Sequence, residues 1–306
     1  MKSESHTKSV LPGSGVTLAL IAFCGFPISD AFMKSMAGEW PAAALVAIRF
    51  AMGAAGLSIL LWKREGASGF KVNRPWLHVA RGFVMALAAA SFISAIFIMP
   101  LADAVAISFV SPIITALLSS WFLKEKMRPV TWLVTVIAFA GVLVMLRPNV
   151  AAFGLSALLP LVAAASMAVV MILNRMVSGQ RSVVAAQFYG AFWTTFFMII
   201  IAVTGHFLFP VMEIVGAPSM RMLFLCATVA VLNTGCHLLL YVATMRATAA
   251  AIAPVVYSQL VMSSLISVYI FGDKMDPLAM VGGALIILSG LIMWRSERNV
   301  ATVVRA

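Results

Sequence analysis

Long apolar runs, broken at intervals by polar residues, glycine or proline, dominate the hydropathy pattern of this chain. A helix needs about 20 predominantly apolar residues to cross roughly 30 Å of hydrocarbon. The runs are too long for tilted membrane strands, and a helix satisfies its backbone hydrogen bonds within itself. The pattern therefore predicts an all-α polytopic membrane protein.

Division of the apolar stretches at these polar, glycine and proline residues predicts ten transmembrane helices, five in each half of the chain. The predicted spans are residues 13–36, 41–62, 77–99, 102–122, 129–146, 155–174, 183–205, 222–245, 249–271 and 277–294. The predicted organisation is a tail (1–12), a five-helix unit (13–146), a connecting loop (147–154), a second five-helix unit (155–294) and a tail (295–306).

Composition excludes a soluble domain, because 63% of the residues are hydrophobic and 10% are charged, against about 45–50% and about 25% in soluble domains. The net charge of +11 comes from lysines and arginines at the ends of apolar runs, which indicates membrane orientation rather than nucleic-acid binding. With the amino terminus inside, the inner loops and tails carry 15 of these cations and the outer side carries four. We expect both termini to be cytoplasmic, in the plasma membrane, and in a bacterium in the inner membrane.

A short repeat suggests that the second half is an inverted copy of the first. Residues 125–129 (EKMRP) align with residues 273–277 (DKMDP) at an offset of 148, and each precedes an apolar helix. Five predicted spans separate the two copies, and an odd number reverses the direction in which the chain crosses the membrane. Inverted repeats are typical of secondary transporters, which hold substrate near the membrane midplane at the repeat interface. The alternative is a chance similarity between two helix starts.

Several further segments carry a family resemblance. They are DAFMK at 30–34, IRF at 48–50, RG at 81–82, LADAVAISFVSP at 101–112, APVVY at 253–257, FGD at 271–273 and GGALII at 282–287. With them the chain resembles the ten-helix EamA type of the drug/metabolite transporter superfamily, although Asp273 stands where that family usually has Glu. The resemblance implies two inverted five-helix halves that move small organic metabolites by alternating access. Substrates in similar proteins include amino acids, vitamins such as riboflavin, adenosylmethionine-like cofactors and xenobiotics, and the direction of transport varies.

Charged residues inside predicted spans are candidate functional residues, because a charge at the bilayer centre costs about 2.5–3.5 kcal/mol on insertion scales. Arg49 lies about 12 Å and Asp30 about 9 Å from the outer surface at 1.5 Å per residue. We expect them to pair across the first two spans. Lys34, one turn from Asp30, and Asp103 lie on the same side, so we predict a mixed-charge cluster for gating or proton coupling. The alternative is a static salt bridge that fixes helix register.

Asn233, His237 and Tyr241 recur every four residues in the predicted eighth span, which places them on one helix face. A polar stripe of this kind favours a wall of a substrate cavity. His237 could also carry a proton, because its pKa lies near physiological pH. The alternative for each member is an interhelical hydrogen bond of about 0.6 kcal/mol.

Four further residues complete the predicted substrate-binding set with Arg49 and the stripe. They are Gln187, Trp193, Tyr257 and Gln259, whose amide and aromatic groups suit a planar or amphipathic organic ligand. Trp193 could alternatively face lipid or the core. Pro112 and Pro254 interrupt predicted spans and are candidate hinges, although prolines are also common in ordinary membrane helices.

The predicted function is secondary transport of a small organic metabolite, with a small-molecule substrate and the lipid bilayer as partners. The sequence has no Walker loop, catalytic carboxylate pair or metal-ligand spacing, so we expect no enzyme activity, no cofactor and no metal, with transport driven by a gradient or by exchange. We expect a monomer or homodimer that does not bind nucleic acid. The alternatives are a membrane enzyme acting on lipid, and a non-transporting scaffold or sensor.

Overall fold

The computed structural model describes residues 12–72, 74–122, 129–177, 182–208, 216–246, 252–274 and 276–303. Within these ranges the chain forms α-helices and short 3-10 helices and no β-strand. In chain order the α-helices are α1 (Pro12–Lys34), α2 (Ala42–Glu65), α3 (Pro75–Ile98), α4 (Leu101–Ser108), α5 (Ser111–Phe122), α6 (Pro129–Phe153), α7 (Leu159–Val177), α8 (Val183–Leu208), α9 (Met220–Arg246), α10 (Ser258–Tyr269) and α11 (Pro277–Val303). The all-α prediction is confirmed for this part of the chain.

Proline and glycine set many of the helix ends. Pro75, Pro129 and Pro277 are each the first residue of a helix, where the missing N–H would have no helical partner. Gly66 follows α2 with a positive φ of 61°, a conformation that glycine adopts without a steric penalty. At the start of α11, the Asp276 carboxylate accepts backbone N–H bonds of 2.7 and 3.3 Å. These local signals explain why the apolar runs are divided into separate helices.

The described helices identify a multi-pass membrane protein. Six helical stretches are long and apolar enough to cross a membrane, namely Gly15–Lys34, Ala42–Phe70, Pro75–Ile98, Asn149–Asn174, Val183–Leu208 and Met220–Ala243. Four shorter apolar stretches are Leu101–Thr115, Trp132–Val144, Val255–Tyr269 and Pro277–Ile292. Large apolar side chains remain exposed, such as Val231 at 73%. Such a surface is stable against acyl chains and costly in water.

Helices of the first half pack mainly against helices of the second half. Helix α1 packs against α9, α3 against α7, α2 against α8, and α6 against α11. In addition, α5 contacts α7, and α10 contacts α1. The two halves therefore interleave rather than forming two separate five-helix bundles.

The predicted fourth and ninth spans are both interrupted. The fourth is divided into α4 and α5 at Phe109 and Val110, just before Pro112. In the ninth, the described part contains a 3-10 helix over Ala253–Tyr257, which includes Pro254, and continues as α10. The two interruptions meet, because the rings of Phe109 and Tyr257 stack with centroids 5.6 Å apart. The hinge role of the two prolines stays a prediction.

Two helices, α6 and α11, extend furthest beyond the predicted boundaries. Residues 147–153 continue α6, whereas the sequence analysis expected them in the connecting loop. The buried side chain of Asn149 hydrogen-bonds Asp103, and this tertiary contact stabilises the last turn of α6. The last helix, α11, runs to Val303 into the predicted carboxy-terminal tail, because a polar segment rich in good helix formers can prolong a helix after it leaves the apolar region.

The contact between α6 and α11 gives a stability test. A methyl group added at Gly141 would lie 2.8 Å from the Gly282 carbonyl oxygen, whereas one added at Gly56 in α2 would meet no atom within 4 Å. We expect Gly141→Ala to lower stability by about 1–3 kcal/mol through overpacking, and Gly56→Ala to leave it unchanged or raised. Thermal unfolding of the two purified variants checks this, and equal midpoints would contradict the close helix contact.

Candidate functional site

Two buried charges lie on helices that both pack against α9. Arg49 on α2 and Asp30 on α1 are both buried, and each lies in the electrostatic field of the other. The prediction of a direct Asp30–Arg49 ion pair is wrong, because the ion pairs within 4 Å among the described residues are Lys34–Asp273 and Arg221–Glu39. The Arg49 guanidinium instead lies over the Phe50 ring, 4.7 Å from its centroid, which partly replaces a counter-charge.

The polar stripe on α9 faces α1 over part of its length. The Asn233 side-chain amide donates a 3.2 Å hydrogen bond to the Ser29 hydroxyl. His237 contacts the Phe26 ring at a centroid distance of 4.9 Å, and Arg49 and Arg81 both act on it electrostatically. Tyr241 is 39% exposed. The three residues thus have different surroundings, and the Asn233 bond is an interhelical contact of the kind named as the alternative.

The other predicted binding residues lie on α8, α10 and the turn before α10. Trp193 packs against Gly82 of α3 and edge-on to Phe192 and Phe196 of its own helix, so it belongs to an interhelical contact. Tyr257 stacks on Phe109, as described above. Gln187 and Gln259 are partly buried. Their substrate-binding roles stay predictions.

A charged cluster joins the two halves where α1 ends and α4 begins, which we call the Lys34 end. The Lys34 ammonium lies 3.1 Å from the Asp273 carboxylate and donates a 3.0 Å hydrogen bond to the Met99 carbonyl. The Ser267 hydroxyl donates a 2.6 Å bond to the same carboxylate. Lys34 therefore pairs with Asp273 and not with Asp30. Asp103 is buried beside this cluster, with Lys34 and Asp273 among the charges that act on it.

Contacts between the halves also occur at the opposite end, where α2 ends and α3 begins, which we call the Arg81 end. Arg81 donates a 2.8 Å hydrogen bond to the Ala186 carbonyl of α8. The Tyr189 hydroxyl donates a 2.6 Å bond to the Phe70 carbonyl. The rings of His78 and Tyr189 lie 5.3 Å apart. Both ends are thus held by contacts between the first and second halves.

The sequence analysis missed three residues of these ends, namely Asp273, His78 and Arg81, as site candidates. The sequence analysis uses Asp273 as part of the repeat. Asp273 follows the end of a predicted span on the same side of the membrane as Lys34, and this position indicates that the two residues could pair. Arg81 lies six residues after the start of α3, so the insertion-cost argument applied to Arg49 applies to it as well. His78 lies one turn before Arg81 on the same helix face.

The described residues do not bring together three His, Cys, Asp or Glu side chains that could hold a metal ion. Cys24, Cys226 and Cys236 are free thiols in separate positions. What the site offers chemically is therefore a set of buried cations, one nearby carboxylate, and aromatic and amide groups. These groups can bind a polar organic solute and exchange protons with it.

Comparison with known proteins agrees with this fold. The EamA-like transporter family matches the chain in two segments, over residues 13–147 and 154–295. The chain therefore belongs to the EamA-like transporter family, within the drug/metabolite transporter superfamily.

Among individual relatives, the S-adenosylmethionine uptake transporter of Rickettsia bellii is 29% identical over 237 residues, which are 76% of this chain and 77% of that protein. The pseudopaline exporter CntI of Pseudomonas aeruginosa is 26% identical over 289 residues, 94% of this chain and 98% of that one. A solved crystal structure with 20% identity covers 94% of this chain and 99% of its own chain with a TM-score of 0.63. That structure supports the fold.

The Asn233–Ser29 hydrogen bond gives a test of the stripe on α9. We expect Asn233→Ala and Ser29→Ala to be coupled by about 0.6 kcal/mol, the typical value of an interhelical hydrogen bond in a membrane protein. A double-mutant cycle measured by reversible unfolding in detergent micelles provides the coupling. Strictly additive effects of the two substitutions would show that the bond contributes nothing to stability.

Proposed function

We propose that this chain is a ten-helix secondary transporter, built from two inverted five-helix halves, that moves a small organic solute across the membrane by alternating access. The observation that carries the proposal is the family match in two successive segments of the chain. The repeat of residues 125–129 at 273–277 supports the same division. Because the relatives are named as transporters, we propose transport and not catalysis.

The packing pattern supports an internal two-fold relation. Suppose that each predicted span is exchanged with the span five places away along the chain, so that α1 changes places with α7 and α3 changes places with α9. The pair α1–α9 then becomes the pair α7–α3, and both pairs pack closely. The contact of α5 with α7 becomes that of α10 with α1, and the pairs α2 with α8 and α6 with α11 are unchanged by the exchange. Phe109 and Tyr257, which stack on each other, are themselves 148 residues apart. Residues that are related by a two-fold axis touch each other only close to that axis.

We assign the solute to the region of Arg49, Asp30 and His237, where buried charges lie between α1, α2 and α9. Gln187, Tyr257 and Gln259 would contribute amide and aromatic contacts, and Trp193, Asn233 and Tyr241 would shape the surrounding helix packing. Asp30 and His237 are the groups through which proton coupling would act. Pro112 and Pro254 would allow the two broken spans to bend as the halves move.

The ends of the bundle would act as gates. Lys34 and Asp273, with Asp103 beside them, would close the end that the distribution of lysine and arginine assigns to the outside. The Arg81 end would then be cytoplasmic, as would both termini, in a bacterial inner membrane. The energy source would be an ion gradient or solute exchange.

Reconstitution into liposomes tests the proposed function. The solutes to measure first are S-adenosylmethionine, pseudopaline and riboflavin, which the names of the relatives supply, followed by amino acids. Flux should be measured in both directions, with and without a pH gradient. Saturable flux of one solute above protein-free liposomes supports transport, and equal rates with and without protein across the panel would contradict it.

We expect Arg49→Ala to reduce flux at least tenfold, because it removes the buried cation from the proposed solute site. Arg64→Ala is the matched control, since that arginine is exposed in the last turn of the same helix. Both variants should insert and reconstitute like the wild type, which orientation and yield measurements check. Wild-type flux in Arg49→Ala would remove Arg49 from the mechanism.

A charge exchange tests the proposed gate. Lys34→Asp or Asp273→Lys alone places two like charges together, and losing a charge-assisted contact costs about 1.5–3 kcal/mol, so we expect roughly tenfold or greater loss of flux. The double variant restores opposite charges and should regain most of the flux. If the double variant is no better than the single ones, the pair does not act as a unit.

A further inference from the structure

We propose that Arg81 and His78 on α3 form, with the facing backbone of α8, a binding site for an oxyanion, the carboxylate or phosphate group of the transported solute. The proposal rests on the proposed transport function and adds a chemical feature to its solute. It assigns a role to the buried polar groups at the Arg81 end that the analysis of the sequence left without one.

Arg81 is a buried cation without a nearby counter-charge among the described residues. Its side chain is 8% exposed, and among the described residues no carboxylate lies within 4 Å of it. Within the described part of the chain, its hydrogen bond goes to the Ala186 carbonyl at 2.8 Å. A guanidinium has five N–H donors arranged to grip a planar oxyanion through two of them. A buried cation that lacks a protein counter-charge is stabilised when a ligand brings one.

His78 brings a second buried polar group to the same end of the bundle. The side chain is 5% exposed, and its buried Nδ1 atom finds no hydrogen-bond partner among the residues that the structure describes. Buried polar atoms are usually hydrogen-bonded, and an exception requires an explanation. His78 and Arg81 are three residues apart on one helix face, so one group bound beside the guanidinium is within reach of both.

Helix α8 holds the guanidinium of Arg81 in place. A side chain at Gly190 would begin 2.7 Å from an Nη atom of Arg81, so the guanidinium lies directly over the helix backbone at this glycine. The Ala186 carbonyl, one turn earlier, accepts its hydrogen bond. Arg81 is therefore fixed in place before a ligand arrives, which lowers the entropic cost of binding.

The buried charge around Arg49 and Arg81 is positive overall. Arg49 and Arg81 both act on His237, so the two cations belong to one electrostatic region. Of the described buried acids, Asp30 lies in this region, and Asp103 lies in the cluster at the Lys34 end. The region holds more positive than negative charge, which favours a solute with an anionic group.

Thermal unfolding of the purified full chain in a non-ionic detergent tests the site. The probes are sodium acetate, sodium phosphate, sodium chloride at matched ionic strength, and acetamide, the neutral analogue of acetate. We expect acetate and phosphate to raise the unfolding midpoint by about 3–6 °C over chloride near saturation, and acetamide to have no effect. Equal midpoints in acetate and chloride would overturn the proposal.

Three variants locate the effect. Arg81→Gln should lose the acetate response, and His78→Ala should require about tenfold more acetate for half of the response. Arg64→Gln is the matched control, an exposed arginine at the end of α2 on the same side of the bundle, and it should respond like the wild type. If Arg81→Gln keeps the response, the assignment is wrong.

A further variant covers the case in which Arg81→Gln does not fold. Gly190→Ala keeps the charge and adds a methyl group where the guanidinium lies, so it should also lose the acetate response. Retention of the response in Gly190→Ala would count against the site. A midpoint that rises with phosphatidylglycerol but with neither acetate nor phosphate would assign the site to a lipid headgroup and overturn the solute proposal.

The acetate response does not depend on transport, so the two proposals fail separately. If a solute is transported but acetate does not raise the unfolding midpoint, the proposed oxyanion site is wrong and the proposed transport function stands. An acetate response without flux of any solute would keep the site and remove the proposed function.

Discussion

Helices in hydrocarbon gain nothing from the hydrophobic effect by touching each other, so their association depends on close packing and a few polar contacts. In this protein the close packing joins the two halves of the chain. Gly141 lies against the Gly282 backbone, Gly82 against Trp193, and Gly25 against Cys236. In each pair a first-half glycine lets a second-half helix approach closely. The interleaved arrangement of the helices depends on these small residues more than on any amphipathic pattern.

Three cations inside the helical stretches, the partly buried Lys34 and the buried Arg49 and Arg81, are stabilised to different degrees. Lys34 has a carboxylate partner, a backbone carbonyl and the Phe271 ring. Arg49 has the Phe50 ring and the more distant Asp30. Arg81 has one backbone carbonyl. The first arrangement resembles a structural lock, and the last leaves most donors of a guanidinium for a ligand. A single sequence rule, that charges inside spans mark function, thus covers residues with different environments.

The sequence predicts the helical character and the positions where the helices break, because both depend on local composition. The prolines at 112 and 254 show this. Partners across the bundle are not predictable in this way. Lys34 and Asp273 are 239 residues apart in the chain, and their contact depends on how the halves interleave. The helices are apolar on most sides, so periodicity does not say which face meets which neighbour. The expected Asp30–Arg49 pair failed for this reason, since shared depth in the membrane does not fix the rotation of two helices.

The two ends of the bundle are held together by different kinds of interaction. The Lys34–Asp273 pair is partly exposed, with 13% and 22% of the side chains accessible, so dissolved ions on that face screen it over a Debye length of about 8 Å at physiological salt. At the other end, Arg81 and Tyr189 bond to neutral backbone carbonyls, which salt weakens much less. The ionic strength of one compartment therefore weakens the Lys34–Asp273 contact more than it weakens the contacts at the Arg81 end.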